Sequence, residues 1–262
     1  MIWLHTLFNH TKLESDEFAW KEADFKGDTM KKLDILKQEA LTANLALKEM
    51  GLIISTWGNV SVFDPESNLM IIKASGVPYD GMGVDDMVVV DAQGTVIGSE
   101  KRPSSDTPTH LYLYKHFAEE GVRSIVHTHS QYATIWAQSC LPLPCYGTTH
   151  ADYFHGPVPC TRLMTAEEIQ DKYEENTGKV IVETIEQTNP IDTSAVLVAS
   201  HGPFTWGKDA HDAVFHAEVL EYVAKMALYN RLLTPFIQPA QPVLIDKHYF
   251  RKFGPGAYYG QP

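Results

Sequence analysis

Apolar positions in this chain change period along its length, and the changes mark out the elements. From Met30 to about Met50 apolar residues recur three and four apart, as at Leu33, Leu36, Ala40 and Leu41. That spacing predicts an amphipathic helix, and Gly51 is the expected stop. Short runs follow: Thr56 to Val62, where a Gly58-Asn59 turn enters a strand, then Met70–Lys73, Asp86–Val90 and Thr95–Gly98, the last two flanking a turn at Gly94. Helical spacing returns from Pro108 to Ala118, with Pro108 in the first turn and Asp106 or Thr107 near the cap. A strand runs into His127, and a helix spans Tyr132 to Ser139. After a loop-rich middle, a helix is expected from Thr165 to Gln187, broken at Thr177-Gly178. The run Ala195–Ser200 leads to His201, a long helix spans Asp209 to Leu233, and an aromatic, basic, Gly-rich tail runs from Asp246 to Pro262. Strands alternating with helices argue for a layered α/β domain. The short connection between the second and third strands predicts a mixed, largely antiparallel sheet.

Residues 1–29 break the pattern. They are acidic at Glu14, Asp16, Glu17, Glu22 and Asp24, rich in aromatics, and without sustained periodicity. They read as a peripheral extension or as the product of an upstream start, with the domain proper spanning 30–262.

Composition narrows the function classes. The chain has 262 residues and a net charge of −12. Broad nucleic-acid or anionic-membrane binding needs a basic surface and is disfavoured; one phosphate can still be held by a few local donors. Cys140, Cys145 and Cys160 form no C-x-x-C and leave one over, which fits a reducing compartment and buried, inert thiols. No apolar run approaches the ~18–20 residues of a membrane span. The N-terminus lacks a basic region and a long apolar core, so the chain is read as cytoplasmic.

The chemistry concentrates at Ile125-Val126-His127-Thr128-His129-Ser130. Side chains two apart on a strand share a face, so His127 and His129 are expected to converge. His201, at the end of another apolar run, offers a third imidazole, and Asp106 an oxygen. Three imidazoles leave a coordination position open on a metal such as Zn²⁺, as a catalytic site requires; histidines bonded to backbone at strand ends are the alternative. Ser104-Ser105 at a helix start, Ser75-Gly76 at a strand end and Gly58-Asn59 in a turn could together cradle a phosphate, though each alone is ordinary turn or capping sequence. Asp152 is a general base or a solvated loop carboxylate; His150 ligates, orients or packs. His110, His116, His211 and His216 lie in helical patterns and read as structural or surface. Tyr258-Tyr259 is frayed surface or, brought into a site, a proton donor.

In order, Thr56-Trp57-Gly58-Asn59-Val60-Ser61, Lys73-Ala74-Ser75-Gly76-Val77, Ser104 to His110, His127-Thr128-His129-Ser130, Gly147 to Tyr153, Ser200 to Phe204, Asp246 to Tyr249 and Tyr258 to Gln261 resemble the class II aldolase/adducin superfamily, and within it the sugar-phosphate 4-epimerases. The resemblance covers about Met30 to Gln261. It implies a three-layer α/β/α sandwich with a mostly antiparallel central sheet, in a homotetramer with sites at subunit interfaces. It implies Zn²⁺, or Mn²⁺, on His127, His129 and His201 with Asp106 joining. Gly58, Asn59, Ser75, Gly76, Ser104 and Ser105 would bind substrate, chiefly its phosphate, with Lys73 nearby. Asp152 and Tyr259 would be the acid/base pair, Tyr259 reaching a neighbouring subunit's site. The implied activity is metal-dependent epimerisation at C4 of L-ribulose 5-phosphate to D-xylulose 5-phosphate, by retro-aldol cleavage and re-addition through a metal-stabilised enediolate, in arabinose or ascorbate breakdown. The nearest alternative is a class II sugar-phosphate aldolase acting on a substrate such as L-fuculose 1-phosphate. The aldolases carry a Glu where this chain has Asp106. A non-catalytic adducin-like module is a third reading, and it predicts a degraded metal site.

If residues 1–29 are peripheral, a chain beginning at Met30 folds and keeps its activity. Circular dichroism and turnover of that shortened chain check this; an unfolded or inactive product would overturn it.

Overall fold

The computed structural model describes residues 31–186 and 188–259; the expected extension at 1–29 lies outside them. Among the described residues seven strands form one sheet: β1 (Asn59–Asp64), β2 (Leu69–Lys73), β3 (Met87–Asp91), β4 (Val96–Ile97), β5 (Ser124–His127), β6 (Ala195–Leu197) and β7 (Pro203–Gly207). Their spatial order is β4-β3-β2-β1-β5-β7-β6, and every neighbouring pair is antiparallel. The expected mixed sheet is thus antiparallel throughout its named strands; the parallel contribution is one isolated bridge, Cys160 to Leu197.

Alternation along the strands sends side chains to two apolar layers. Met70, Ile72, Val88, Val90, Ile125, Phe204 and Trp206 pack with Leu113 and Phe117 of α2 (Thr107–Phe117) and Ile181 and Ile185 of α6 (Tyr173–Ile185). Val60, Val62, Ile71, Met87, Val89 and Val126 turn the other way. They meet Ala40, Ala43 and Leu47 of α1 (residues 31–49) and Ala213, Val214 and Ala217 of α8 (Ala210–Leu233). This is the three-layer α/β/α sandwich. A third cluster, with Trp136 of α3 (Gln131–Gln138), Phe154, Leu197 and Leu220, extends the α8 side past β6.

Local sequence explains the ends. After α1, Gly51 takes φ +71, and Leu52 N–H and Gly51 N–H donate to the Leu47 and Lys48 carbonyls at 2.9 and 3.0 Å. That is the left-handed cap expected of a glycine stop. At α8, the Asp209 carboxylate accepts from Asp212 N–H at 2.8 Å. Two short helices precede α5 (Ala166–Gln170) and β6: α4 (Thr148–Ala151) and, after α6, α7 (Pro190–Thr193).

Several expectations need correction. The helix expected from Thr165 to Gln187 breaks at Asp171-Lys172, where Lys172 has φ +51, and runs unbroken through Gly178. Asn176 fixes that break, its side-chain amide donating to the Glu168 and Asp171 carbonyls at 3.0 and 2.7 Å. Gly178 serves packing instead: a Cβ there would lie 2.8 Å from Tyr112 Cβ, where α6 crosses α2. The segment after His201 forms the strand β7, and the tail opens with a helix, α9 (Pro242–Phe250). Of the thiols expected to be buried, Cys145 is, whereas Cys140 is exposed and Cys160 half-buried. No helix among the described residues is long and apolar enough to cross a membrane.

Gly178→Ala should destabilise the fold by about 1–3 kcal/mol through overpacking at the α2–α6 crossing. Thermal or urea denaturation reads this directly, and an unchanged midpoint would reject the packing assignment.

Candidate active site

Three chain segments meet where β1 begins and β5 ends. His127 is the last residue of β5, opposite Asn59 of β1 and Phe204 of β7. Its ring stacks on Phe204 at 4.2 Å, and Nδ1 lies 3.0 Å from the Pro203 carbonyl, to which it donates. That hydrogen bond leaves Nε2 with its lone pair facing the cleft. His129 falls beyond the end of β5, so strand alternation is not what brings it round. The turn after the strand does so, and its Nε2 lies 3.2 Å from that of His127. His201 comes from the β6–β7 turn, after Ser200 in a left-handed conformation at φ +62. The ring centroids stand 4.9, 4.8 and 5.1 Å apart, a near-equilateral triangle.

Two glycines permit this convergence. A Cβ on Gly58 would lie 2.9 Å from the His127 carbonyl oxygen, and one on Gly202 would lie 2.8 Å from that of Thr128. The turns before β1 and before β7 therefore press directly on the backbone of the His127-Thr128 segment.

The donor set fits a metal ion. The three imidazoles place nitrogens all within 4.8 Å of one another. Two nitrogens about 2.0–2.1 Å from one tetrahedral zinc would be roughly 3.3–3.4 Å apart, close to the 3.2 Å between His127 and His129. Burial, and the neighbouring rings, push His129 down to about 4 and His201 down to about 3, so both are neutral donors near pH 7. The Tyr173 hydroxyl is 3.5 Å from His201 Nδ1.

Asp106 borders the same cleft from the start of α2, outside the three-imidazole group. It occupies the N-cap position yet makes no side-chain cap bond. Its Oδ2 instead accepts from the Asn59 side-chain amide at 2.6 Å, and from Ser104 Oγ at 3.4 Å. Burial alone would raise its pKa; the facing imidazoles and Asn59 outweigh that and hold it below the usual carboxylate range. The capping explanation of Ser104-Ser105-Asp106 therefore fails for the aspartate.

A cleft of about 540 Å³ contains Gly58, Asn59, Lys73, Ser75, Gly76, Ser104, Ser105, Asp106, His127, His129 and His201 together. Every expected substrate- and metal-binding residue thus shares one cleft. Backbone bonds knit its rim: Ser104 N–H donates to the Lys73 carbonyl at 2.9 Å, and Ser75 N–H to that of Arg102 at 2.9 Å. Asn59 Oδ1 is buried without a hydrogen-bond partner among the described residues. An orphaned acceptor at a cleft is free to take a ligand hydroxyl.

Asp152 and Tyr259 are not in this cleft. Asp152 accepts from His248 Nδ1 at 2.9 Å and from Arg251 Nη2 at 2.8 Å, with Lys252 Nζ 3.7 Å away. Burial opposes its charge, but those donors hold its pKa below the ordinary value. The Tyr259 ring lies against Arg251 at 4.5 Å and is exposed. One chain thus pairs Asp152 with the tail at a separate place. His150 packs: it is buried with Nε2 bonded to the Gly156 carbonyl at 2.8 Å.

Sequence reading missed several participants. Tyr173 and Glu174 line the cleft from the first turn of α6, and the misplaced helix break hid them. Tyr79 is buried behind Lys73 and donates to the Gly58 carbonyl at 2.9 Å; the only signal was its place just after the Lys73–Val77 motif. His110, read as structural or surface, is structural: it does not line the cleft and is fully buried, with Nδ1 2.7 Å from Ser61 Oγ.

Comparison with known proteins gives a consistent answer. The profile of the Class II Aldolase and Adducin N-terminal domain matches residues 38–228. The L-ribulose-5-phosphate 4-epimerase UlaF of Salmonella paratyphi C (strain RKS4594) is 54% identical over 226 residues, covering 86% of this chain and 98% of that protein; the protein of the same name from Salmonella typhi matches equally. A solved structure of L-fuculose 1-phosphate aldolase superposes with a TM-score of 0.70 at 28% identity, covering 83% of this chain and 96% of that one. The L-fuculose 1-phosphate aldolase of Glaciozyma antarctica PI12 shares the fold at 20% identity and a TM-score of 0.67, over 86% of this chain and 84% of its own.

His129→Ala should abolish stoichiometric metal binding, measured by elemental analysis after dialysis; a metal-replete variant would refute the ligand assignment. Gly202→Ala keeps all three imidazoles but displaces the His201 turn, so metal affinity should fall by roughly tenfold or more, as for a lost supporting contact.

Proposed function

Since the chain belongs to the class II aldolase and adducin family, we propose that it interconverts L-ribulose 5-phosphate and D-xylulose 5-phosphate as a metal-dependent 4-epimerase. The observation that carries this reading is one cleft holding both a convergent imidazole triad and a cradle of hydroxyls, glycines and Lys73. That pairing suits a phosphorylated sugar whose oxygens need electrophilic support. The 54% identity to an L-ribulose-5-phosphate 4-epimerase favours this substrate over that of the L-fuculose 1-phosphate aldolases, at 28%. Asp106 in place of the aldolase Glu points the same way.

His127, His129 and His201 would hold one Zn²⁺ per subunit, with Asp106 joining and Mn²⁺ an alternative. The bound ion supplies Lewis-acid stabilisation of oxyanion charge. Gly58, Asn59, Ser75, Gly76, Ser104 and Ser105 bind the substrate, with Lys73 facing its phosphate. C4 of the substrate is not α to the carbonyl, so simple deprotonation cannot epimerise it. Retro-aldol cleavage of C3–C4 leaves an enediolate and glycolaldehyde phosphate. Rotation of the aldehyde exposes its other face, and re-addition inverts C4. One group must take the C4 hydroxyl proton on one face and another return it on the opposite face; Asp152 and Tyr259 fill these roles.

Asp152 and Tyr259 lie outside the triad cleft of one chain, so this mechanism requires a neighbouring subunit. The apolar side chains exposed beyond the core support an oligomer: Leu232, Leu233, Phe236 and Val243, at the end of α8 and the start of α9, are 67–88% exposed. We infer a homotetramer with sites at subunit interfaces, residues 30–262 as its domain and the cytoplasm as its compartment.

Incubation with D-xylulose 5-phosphate should yield L-ribulose 5-phosphate, with turnover lost to chelator and restored by Zn²⁺. Accumulation of free glycolaldehyde phosphate without the epimer would replace this reading by the aldolase. Deleting residues 258–262 should leave metal bound but suppress epimerisation; unchanged turnover would remove Tyr259 from the mechanism.

A further inference from the structure

Lys73 ends β2 inside the cleft and is 2% exposed, so its ammonium needs compensation. Among the described residues no carboxylate forms an ion pair with it. Its Nζ instead donates to the carbonyls of Thr56 and Ala74 at 3.4 and 3.3 Å and stands over the Tyr79 ring at 5.1 Å. Asp86, whose charge acts on Lys73 from a distance, is bonded at 2.7 Å by Lys101. Burial lowers the Lys73 pKa, which makes these neutral supports matter more. A carboxylate in their place would cancel the cation and repel an incoming anion. An aromatic face stabilises the ammonium within about 6 Å without doing either.

The same tyrosine reaches the other side of the cradle. Its hydroxyl donates to the Gly58 carbonyl at 2.9 Å. Gly58 has φ +89 and already abuts the His127 backbone, so the direction of its carbonyl fixes the turn that presents Asn59. Tyr79 is itself anchored in the core beneath, among Leu47, Val60 and Met87, and is 4% exposed. Burial raises its pKa, so the phenol stays protonated and donates.

We propose that Tyr79 is a positioning residue for phosphate recognition: its ring face keeps Lys73 charged and unpaired, while its hydroxyl locks the Gly58 turn of the anion cradle. Tyr79 touches neither the substrate nor the imidazole triad; it acts through Lys73 and Gly58. This rests on the reading of the cleft as a phosphate site.

The test measures binding of inorganic phosphate to the zinc-loaded protein by calorimetry, alongside KM, kcat and metal content. Tyr79→Phe keeps the ring and removes the Gly58 bond, so phosphate affinity should fall about fivefold, the value of one net hydrogen bond. Tyr79→Leu also removes the aromatic face, and the loss should reach roughly tenfold or more. In both, KM rises more than kcat falls, and zinc content stays stoichiometric. Lys73→Met serves as the control. If it loses phosphate affinity while Tyr79→Phe binds phosphate with wild-type affinity and KM, the Tyr79 proposal alone is overturned. If Lys73→Met also binds phosphate as wild type does, the phosphate reading of the cleft falls and takes the proposal with it. A Tyr79→Phe variant that loses zinc, or loses kcat with KM unchanged, would assign the residue a purely structural role. Tyr79→Phe is nearly isosteric, so the test stands even where Tyr79→Leu fails to fold.

Discussion

Everything at this site depends on three strand ends being forced together closely enough for imidazoles from two of them to share one point. The contact that does this is backbone on backbone. Gly58 and Gly202 lie against the carbonyls of His127 and Thr128 with no room for a Cβ. The sheet order makes the meeting possible, because β1 and β7 flank β5 and their turns open at its end. The result crowds like atoms together: two imidazole nitrogens face one another at 3.2 Å in a partly buried setting. A bound metal removes that conflict, so metal binding and local stability are linked at this corner of the fold.

A second constraint is the handling of charge around that cluster. Asp106 is turned away from the helix it precedes and held by Asn59, so an anion is maintained beside the imidazoles. Across the cleft, Lys73 has no carboxylate partner among the described residues, its Nζ being held by two carbonyls and the Tyr79 ring. The two opposite charges therefore remain separately available to a ligand, where a direct ion pair would have neutralised both. Asp152 follows the other policy: His248, Arg251 and Lys252 surround it, tying α4 to α9. A group so compensated is well fixed in orientation.

Much of the frame could be read from the chain. The period-two runs and the α1 and α8 patterns located both faces of the sandwich, because alternation and helical spacing report burial directly. The His127, His129 and His201 cluster was legible as chemistry, although the reason given for His129 was wrong: it converges through a turn, not by strand alternation. Elements fixed by tertiary contacts were harder. Gly178 looked like a helix breaker, but its role is to admit Tyr112; the actual break at Lys172 depends on a side chain, Asn176, reaching back to two carbonyls. Tyr79 carries no metal-ligand or acid/base signature, and only its position between Lys73 and Gly58 in space reveals what it does. Asp152 and Tyr259 lie apart from the triad cleft within one chain, and their sequence neighbourhoods carry no signal of that separation.

The seclusion of Lys73 also bears on how a substrate arrives. Its charge is at the bottom of a cleft, whereas the protein as a whole carries −12. A phosphorylated sugar therefore meets repulsion at long range and attraction only at contact. Salt screens the first over a Debye length of about 8 Å at physiological strength and leaves a buried contact much less affected. Encounter, in this enzyme, is the step that moderate ionic strength favours: the approach quickens while the grip at the cleft floor is nearly preserved, the reverse of a protein that draws anions in with a basic surface.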